Sequence, residues 1–237
     1  NELYAGLSVV PGKYLLDNLR NMLSMVNMPR GFLNSAIVSF SSTFLSIYFG
    51  AMTAFGLFEY KFKLKKVIYV ILMVSMMVPG QLGIIGLFKL CNNLGLLNTY
   101  WPLILPCIAN SSTIFFILQY LQSSMSEELL DSARIDGAGE VKIFHSFILP
   151  LSKPALSTMV IFNFVSYWNN FFNPMILLFD DKKFTVPLLI NNLNSGMLQD
   201  LGAKYSAIAI SIVPIILVYC LISKRLTSGM MAGAIKS

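Results

Sequence analysis

The chain has 237 residues, of which 56% are hydrophobic and only 12% charged, and it carries a formal net charge of +6. That balance excludes an ordinary soluble domain, and the lack of any dense basic run argues against nucleic-acid binding. The composition is that of an all-α polytopic membrane protein, with lysines and arginines held near one membrane face.

Residues 1–32 mix polar and apolar side chains around Pro11, Gly12, Pro29 and Gly31. They read as an outer-face surface segment with a short helix near Tyr14 to Met25. From Leu33 to Phe58 no side chain is charged, and about 20 such residues rising 1.5 Å each cover a ~30 Å hydrocarbon core. This is the first predicted span, residues 33–58. Ser42, Ser46, Gly50 and Ala54 recur every fourth residue in it, a stripe of small side chains on which another helix can pack closely. The run Glu59 to Lys66, EYKFKLKK, forms a short basic loop, placed in the cytoplasm by the positive-inside rule.

The second span, residues 67–90, is uncharged until Lys89, and Pro79-Gly80-Gln81 interrupts it. Proline deletes one helical hydrogen bond, so freed carbonyls must find partners inside a bundle or a cavity. The break reads either as a lining of a transport path, with Gln81 on it, or as an ordinary kink. After a short outer loop, the third span covers residues 101–121, with Tyr100 and Trp101 placed like interfacial aromatics.

Residues 122–154 are the most charged part of the chain. Glu127, Glu128, Asp131, Asp136 and Glu140 stand with Arg134, Lys142 and Lys153 between two apolar runs, so water or another protein must face them. Ser126 or Ser124 is placed to cap a first helical turn, and the early acids suit the positive end of its dipole. Leu129, Leu130 and Ala133 are expected on one apolar face, with Asp131 and Arg134 spaced for a surface pair. Gly137 stops this helix because glycine accepts the left-handed conformation found past helix ends. A second amphipathic piece places Val141, Phe144 and Ile148 at helical spacing and ends at Pro150.

The fourth span, residues 155–179, holds Asn163, Ser166, Tyr167, Trp168, Asn169, Asn170 and Asn173. Buried amides must be bonded, so they face protein or water rather than lipid. They read either as sugar contacts along a path, where amides meet hydroxyls and rings meet C–H faces, or as glue between helices. An outer loop from Asp180 leads to the fifth span, residues 205–222, kinked at Pro214. Lys224 and Arg225 anchor it, and residues 226–237 form a glycine-containing cytoplasmic tail. This topology puts Lys61, Lys63, Lys65, Lys66, Arg134, Lys142, Lys153, Lys224, Arg225 and Lys236 in the cytoplasm, a majority of the seventeen bases.

Catalytic constellations are missing. His145 is alone in the chain and reads as a satisfied or solvated loop residue. Cys91, Cys107 and Cys220 are scattered without metal-ligand spacing and read as packing residues. No G-x-x-x-x-G-K-[ST] phosphate loop occurs, so any ATP must be hydrolysed elsewhere. No Asp or Glu lies within the spans, which argues against a proton-coupled carrier.

Asp131-Ser132-Ala133, three residues, then Gly137, followed by Ile148-Leu149-Pro150, resembles the EAA loop of ABC importer permeases. The fuller string, ELLDSARIDGA with ILPLSKPAL, is similar to the maltose-type second permease subunit of carbohydrate importers. It departs in having Asp131 for the usual Glu and Ser132 for the first Ala, changes that keep charge and small size. The resemblance runs from about Phe32 to the end, including Asn34-Ser35, VPGQ at Val78 to Gln81, GLLNTYWPLILP and the closing GMMAGAIKS.

The resemblance implies a non-enzymatic, multi-pass subunit of a bacterial cytoplasmic-membrane ABC importer for a sugar or oligosaccharide. An ATP-independent secondary transporter or channel is the alternative. The implied partners are a second permease subunit in a heterodimer, two ATP-binding subunits using ATP and Mg, an extracellular solute-binding protein, the sugar, and lipid. This chain itself would hold no cofactor, metal or nucleic acid. Its implied ATPase-coupling residues are Glu128, Leu129, Leu130, Asp131, Ser132, Ala133, Asp136 and Gly137, with Leu129 and Leu130 as docking anchors. Gln81, Asn163, Tyr167, Asn169 and Asn173 are the expected path residues. Family members have six spans with both ends in the cytoplasm, so a first helix is expected before Asn1.

Overall fold

The computed structural model describes residues 14–193 and 200–234. The expected outer segment before Tyr14 and the last residues of the expected tail, 235–237, lie outside them. All regular structure among the described residues is helical. In order, these are α1 (Leu15–Met25), α2 (Met28–Glu59), α3 (Lys65–Met77), α4 (Ile84–Asn93), α5 (Trp101–Ile104), α6 (Ser111–Ser124) and α7 (Glu127–Ile135). Next come α8 (Glu140–Ile143) and α9 (Leu149–Leu151), joined by a π-helical turn over Phe144–Ile148. The chain continues through α10 (Lys153–Trp168), α11 (Phe172–Leu177), α12 (Val186–Asn192), α13 (Leu201–Ser211) and α14 (Val213–Ala234). Among the described residues three helices are long and apolar enough to cross a membrane, or up to five if each of two bent pairs counts as one span.

The axis of the bundle is α2. It starts at Met28 because the Asn27 side chain accepts a bond from the Arg30 amide and Pro29 occupies its first turn. Its small-residue stripe is the face on which α6 and α10 pack. Ser42, Ser46, Gly50 and Ala54 are all buried, and the Ser42 hydroxyl donates to the Leu103 carbonyl at 3.3 Å. A Cβ at Gly50 would lie 2.9 Å from Thr113 Cγ2, so the helices approach there as only glycine allows. Gly50→Val is expected to lower bundle stability by about 1–3 kcal/mol through overpacking, read as a drop in the thermal midpoint of the detergent-purified protein.

The second span breaks where proline dictates. Val78, forced out of the helical region by Pro79, is extended at φ −85°, ψ 122°. A 3-10 turn over Gly80–Gly83 then redirects the chain, and the two halves bend by 97°. The fourth span is shorter than expected. Its helix stops at Asn169, and the Asn169-Asn170 turn and Pro174 pass the chain into the short α11 instead of continuing to Phe179. At its other end α10 meets the Glu140–Leu151 segment at 77°. The helical backbone of α14 continues to Ala234, through most of the residues expected as tail.

Two buried clusters hold the bundle. One, around Met28, Leu103, Phe164, Trp168 and Leu177, reaches Phe184, Val186 and Leu188 in the stretch that follows Asp180. There the Asn34 amide donates to the carbonyls of Lys182 and Phe184, each at 2.9 Å, and Ser35 Oγ accepts from the Val186 amide at 2.8 Å. The Asn34-Ser35 pair therefore pins the loop after Asp180 to the start of α2. The other cluster, around Phe55, Phe58, Ile117, Leu118 and Leu121, includes Leu130 and Ala133 of α7. Of the cysteines, Cys91 is buried as expected, Cys107 half-buried and Cys220 exposed.

Candidate functional site

The charged segment folds as a helix, a turn and a bent second helix. Ser126 sits at the N-cap of α7 with extended backbone, φ −96°, ψ 142°, yet its side chain makes no capping bond, contrary to expectation. The stop is as the glycine required. Gly137 lies at φ +81°, its amide donates to the Arg134 carbonyl at 2.9 Å, and the Ala138 amide reaches back to Ala133 at 3.0 Å. This pair of bonds is a Schellman closure, which satisfies two otherwise orphaned carbonyls.

The apolar residues of α7 divide between two faces. Leu130 is fully buried and Ala133 nearly so, both packed into the bundle's own core. Leu130, expected as a docking anchor, is thus an internal anchor. One residue earlier the helix has turned about 100°, so Leu129 is exposed. Ile135, which the sequence reading passed over, is 87% exposed, and Val141, expected on the inner face of its helix, is also bare. Glu128, Asp131, Ser132, Asp136 and Gly137 are exposed beside them. The outward face is therefore Leu129, Ile135 and Val141 set among carboxylates.

Arg134 fixes the orientation of that face. Its guanidinium donates through Nε and Nη2 to Glu140 at 2.9 and 3.2 Å, to Asp131 at 3.1 Å, and also to Glu59 at the C-terminal end of α2. Glu59 is well buried, its side chain only 8% exposed, while Tyr60 donates its hydroxyl to Glu140. The expected Asp131–Arg134 surface pair is present, but it is one arm of a clamp tying α7 to α2. Arg134 and Tyr60 together hold the Glu140 carboxyl below its ordinary pKa; burial, then the bond to Glu140, raises that of Tyr60. Since the Glu140 pKa is depressed on folding, its contribution is present above the unfolded carboxyl pKa and is lost as pH falls through the folded value. Glu140 is about half exposed, so solvent screening keeps the effect small. The distance between spin labels at positions 61 and 136 is expected to stay narrow at neutral pH and to broaden on acidification.

His145 is satisfied by the chain itself, with Nδ1 2.8 Å from the Val141 carbonyl and Nε2 3.2 Å from the Tyr48 hydroxyl. No group of three or more His, Cys, Asp or Glu side chains suited to a metal is found among the described residues.

The expected path residues are not gathered at one point. Asn163 is buried between three helices, donating to Ser46 at 3.1 Å and Thr113 at 2.9 Å, an arrangement that bonds α2, α6 and α10 together. Tyr167 is half-buried and accepts from the Asn110 amide at 2.9 Å. Asn173 is half-buried, its backbone amide bonded to Asn170 Oδ1, while Gln81 and Asn169 are exposed. A groove of about 590 Å³ is lined by other residues, among them Phe44, Tyr100, Trp101 and Lys183.

Residues 46–231 match the family model described as binding-protein-dependent transport system inner membrane component. The chain is 35% identical over 205 residues to the arabinooligosaccharides transport system permease protein AraQ of Bacillus subtilis, covering 86% of this chain and 73% of that protein. It is 32% identical over 231 residues to the diacetylchitobiose uptake system permease protein NgcG of Streptomyces coelicolor, covering 96% and 76%. In three dimensions it resembles a chain of a bacterial ABC transporter that imports the acidic polysaccharide alginate. The TM-score is 0.78 at 22% identity, over 93% of this chain and 83% of that one.

Proposed function

This chain belongs to the family of binding-protein-dependent transport system inner membrane components, and from that premise we propose that it forms half of an oligosaccharide path and is driven through α7. It is a multi-pass permease subunit of an ABC importer and not an enzyme. Membership sets aside the carrier or channel working without ATP. The finer assignments are the proposal: a heterodimer with a second permease, two ATP-binding subunits that consume ATP and Mg, an extracellular solute-binding protein, and a bacterial cytoplasmic membrane.

The observation that carries the reading is the two-sided α7. Its inner face is locked by Leu130, Ala133 and the Arg134 clamp, so a push on the outer face moves α2 with it. Docking of Leu129, Ile135 and Val141 into an ATPase cleft would contribute about 1.5–3 kcal/mol per fully buried side chain before the costs of association. The acids around them favour a basic rim on that cleft.

An oligosaccharide is the proposed cargo because the relatives are named for arabinooligosaccharides and diacetylchitobiose. A single permease cannot enclose a path, so its polar lining must stand exposed in the isolated chain, as Gln81 and Asn169 do. Asn163 is assigned to helix association. In proteoliposomes holding the complete importer, Gln81→Ala and Asn169→Ala are expected to raise the apparent KM for oligosaccharide uptake severalfold. Unchanged kinetics in both variants would remove these residues from the path, and uptake without added ATP would overturn the reading as a whole.

A further inference from the structure

The loop joining α2 to α3 brings Lys63, Lys65 and Lys66 to the rim of a cavity of about 410 Å³, whose floor includes Leu57, Tyr69 and Leu118. The loop lies at the same end of the bundle as α7, since Glu59 and Tyr60 bond to Arg134 and Glu140. The ion pairs found among the described residues all involve Arg134. Glu59, the carboxylate nearest in sequence, is turned into that clamp, while Lys65 Nζ reaches only the Phe58 carbonyl, at 3.2 Å. Three ammonium groups therefore face one cavity with no balancing acid among the described residues.

The apolar floor continues along α3. No residue of that helix is buried, and the face that carries Lys65, Lys66 and Tyr69 continues with Met73 and Met76, 38% and 41% exposed. From Tyr69 to Met76 the helix rises about 10 Å at 1.5 Å per residue, a track leading from the lysines towards the hydrocarbon centre. A soluble anion would meet the lysines and leave the floor and track bare. The acidic surface of a soluble subunit would not follow an apolar wall into the membrane. An amphipathic anion fits both parts.

We propose that this cavity binds an anionic phospholipid of the cytoplasmic leaflet, its phosphate among Lys63, Lys65 and Lys66 and an acyl chain laid along α3 past Tyr69. The leaflet assignment rests on the topology proposed above. Occupied, the site braces the α2 terminus that Arg134 grips from the other side, so bound lipid and the α7 clamp stabilise the same joint. Each lysine near an anionic surface contributes about 1 kcal/mol, roughly a fivefold preference, before screening by salt.

The test uses the purified importer in nanodiscs of mixed phosphatidylglycerol and phosphatidylcholine, without ATP. Lipid retained after detergent exchange is expected to favour phosphatidylglycerol by roughly tenfold or more. Lys63→Gln/Lys65→Gln/Lys66→Gln should abolish that preference, and the corresponding arginine variant should keep it. Because removing basic residues can disturb membrane orientation, the unaltered protein is tested in parallel. A phosphatidylglycerol with a photoreactive acyl chain should label the peptides carrying Tyr69 or Leu118, and the phosphatidylcholine analogue should not. Equal labelling by both lipids, or preference retained in the glutamine variant, would overturn the site. So would displacement of the lipid by inorganic phosphate, or crosslinking of a companion subunit, in place of lipid, to a photoreactive residue at Phe62, which also lines the cavity. None of these readouts uses transport, so their failure leaves the permease assignment standing; protease cleavage of the Lys61 to Lys66 loop from the outer side would instead count against its topology.

Discussion

Arg134→Ala is expected to abolish ATP-driven uptake while leaving the chain inserted and the importer assembled. The substitution leaves Glu59, Asp131 and Glu140 facing one another with no cation between them, and Glu59 is too buried to recover full hydration. Its Oε2 already lacks a bonding partner among the described residues. Removing one member of a buried pair costs roughly 3–5 kcal/mol, and partial exposure of Arg134 reduces this to about 2–4 kcal/mol. That is enough to detach α7 from α2 without unfolding the bundle. ATP hydrolysis should then continue at a basal rate that no longer rises with solute-loaded binding protein. Arg134→Lys restores the charge but not the fork that holds Glu140 through two nitrogens, so it should recover only part of the uptake. Glu59→Gln, which removes the buried charge but keeps an amide oxygen that can accept from Arg134, is expected to be milder than Arg134→Ala.

The second large effect is a contrast between neighbours. Leu130→Asp puts a carboxylate at a fully buried position among Ile117, Leu121 and Ile143. Loss of the leucine alone costs about 2–5 kcal/mol, and the unpaired charge adds to it. This variant should be poorly folded around α7 and lose the ATPase subunits through structural failure. Leu129→Asp, on the outer face, should cost the isolated chain less than about 0.5 kcal/mol, as exposed substitutions do. It should nevertheless weaken association with the ATPase, and Ile135→Asp should do the same. Thermal midpoint and copurified ATPase, measured on the same preparations, separate the two cases: both fall for Leu130→Asp, and only the second falls for Leu129→Asp.

The difference between Leu129 and Leu130 shows where reading the chain alone reaches its limit. Features set by neighbouring residues are legible: Val78 is extended because Pro79 follows it, and Gly137 takes a positive φ because the α7 helix must close there. The small-residue stripe of α2 is legible for the same reason, since its period alone defines a face. Which face of α7 meets the bundle is not local information. Leu129, Leu130 and Ala133 form a plausible single stripe until the core supplies Leu121 and Phe144 as neighbours for only two of them. The Arg134–Glu59 contact joins residues 75 apart, and Glu59 reads in sequence as the start of a basic loop. Asn163 likewise suits a sugar contact or a helix bond equally well until Ser46 and Thr113 are seen to claim its amide. The fourth span ends early, at the end of α10, because the turn at Asn169 and Asn170 outweighs the apolar run that follows.

In the proposed function the outer face of α7 receives force from an ATPase while the inner face transmits it to α2. Photocrosslinking residues placed singly at positions 129, 130, 133 and 135 of the assembled importer test it most directly. Crosslinks to an ATP-binding subunit are expected from positions 129 and 135, with positions 130 and 133 linking only within the permease chain. Crosslinks to the ATPase from 130 and 133, or none from either outward position, would contradict the account.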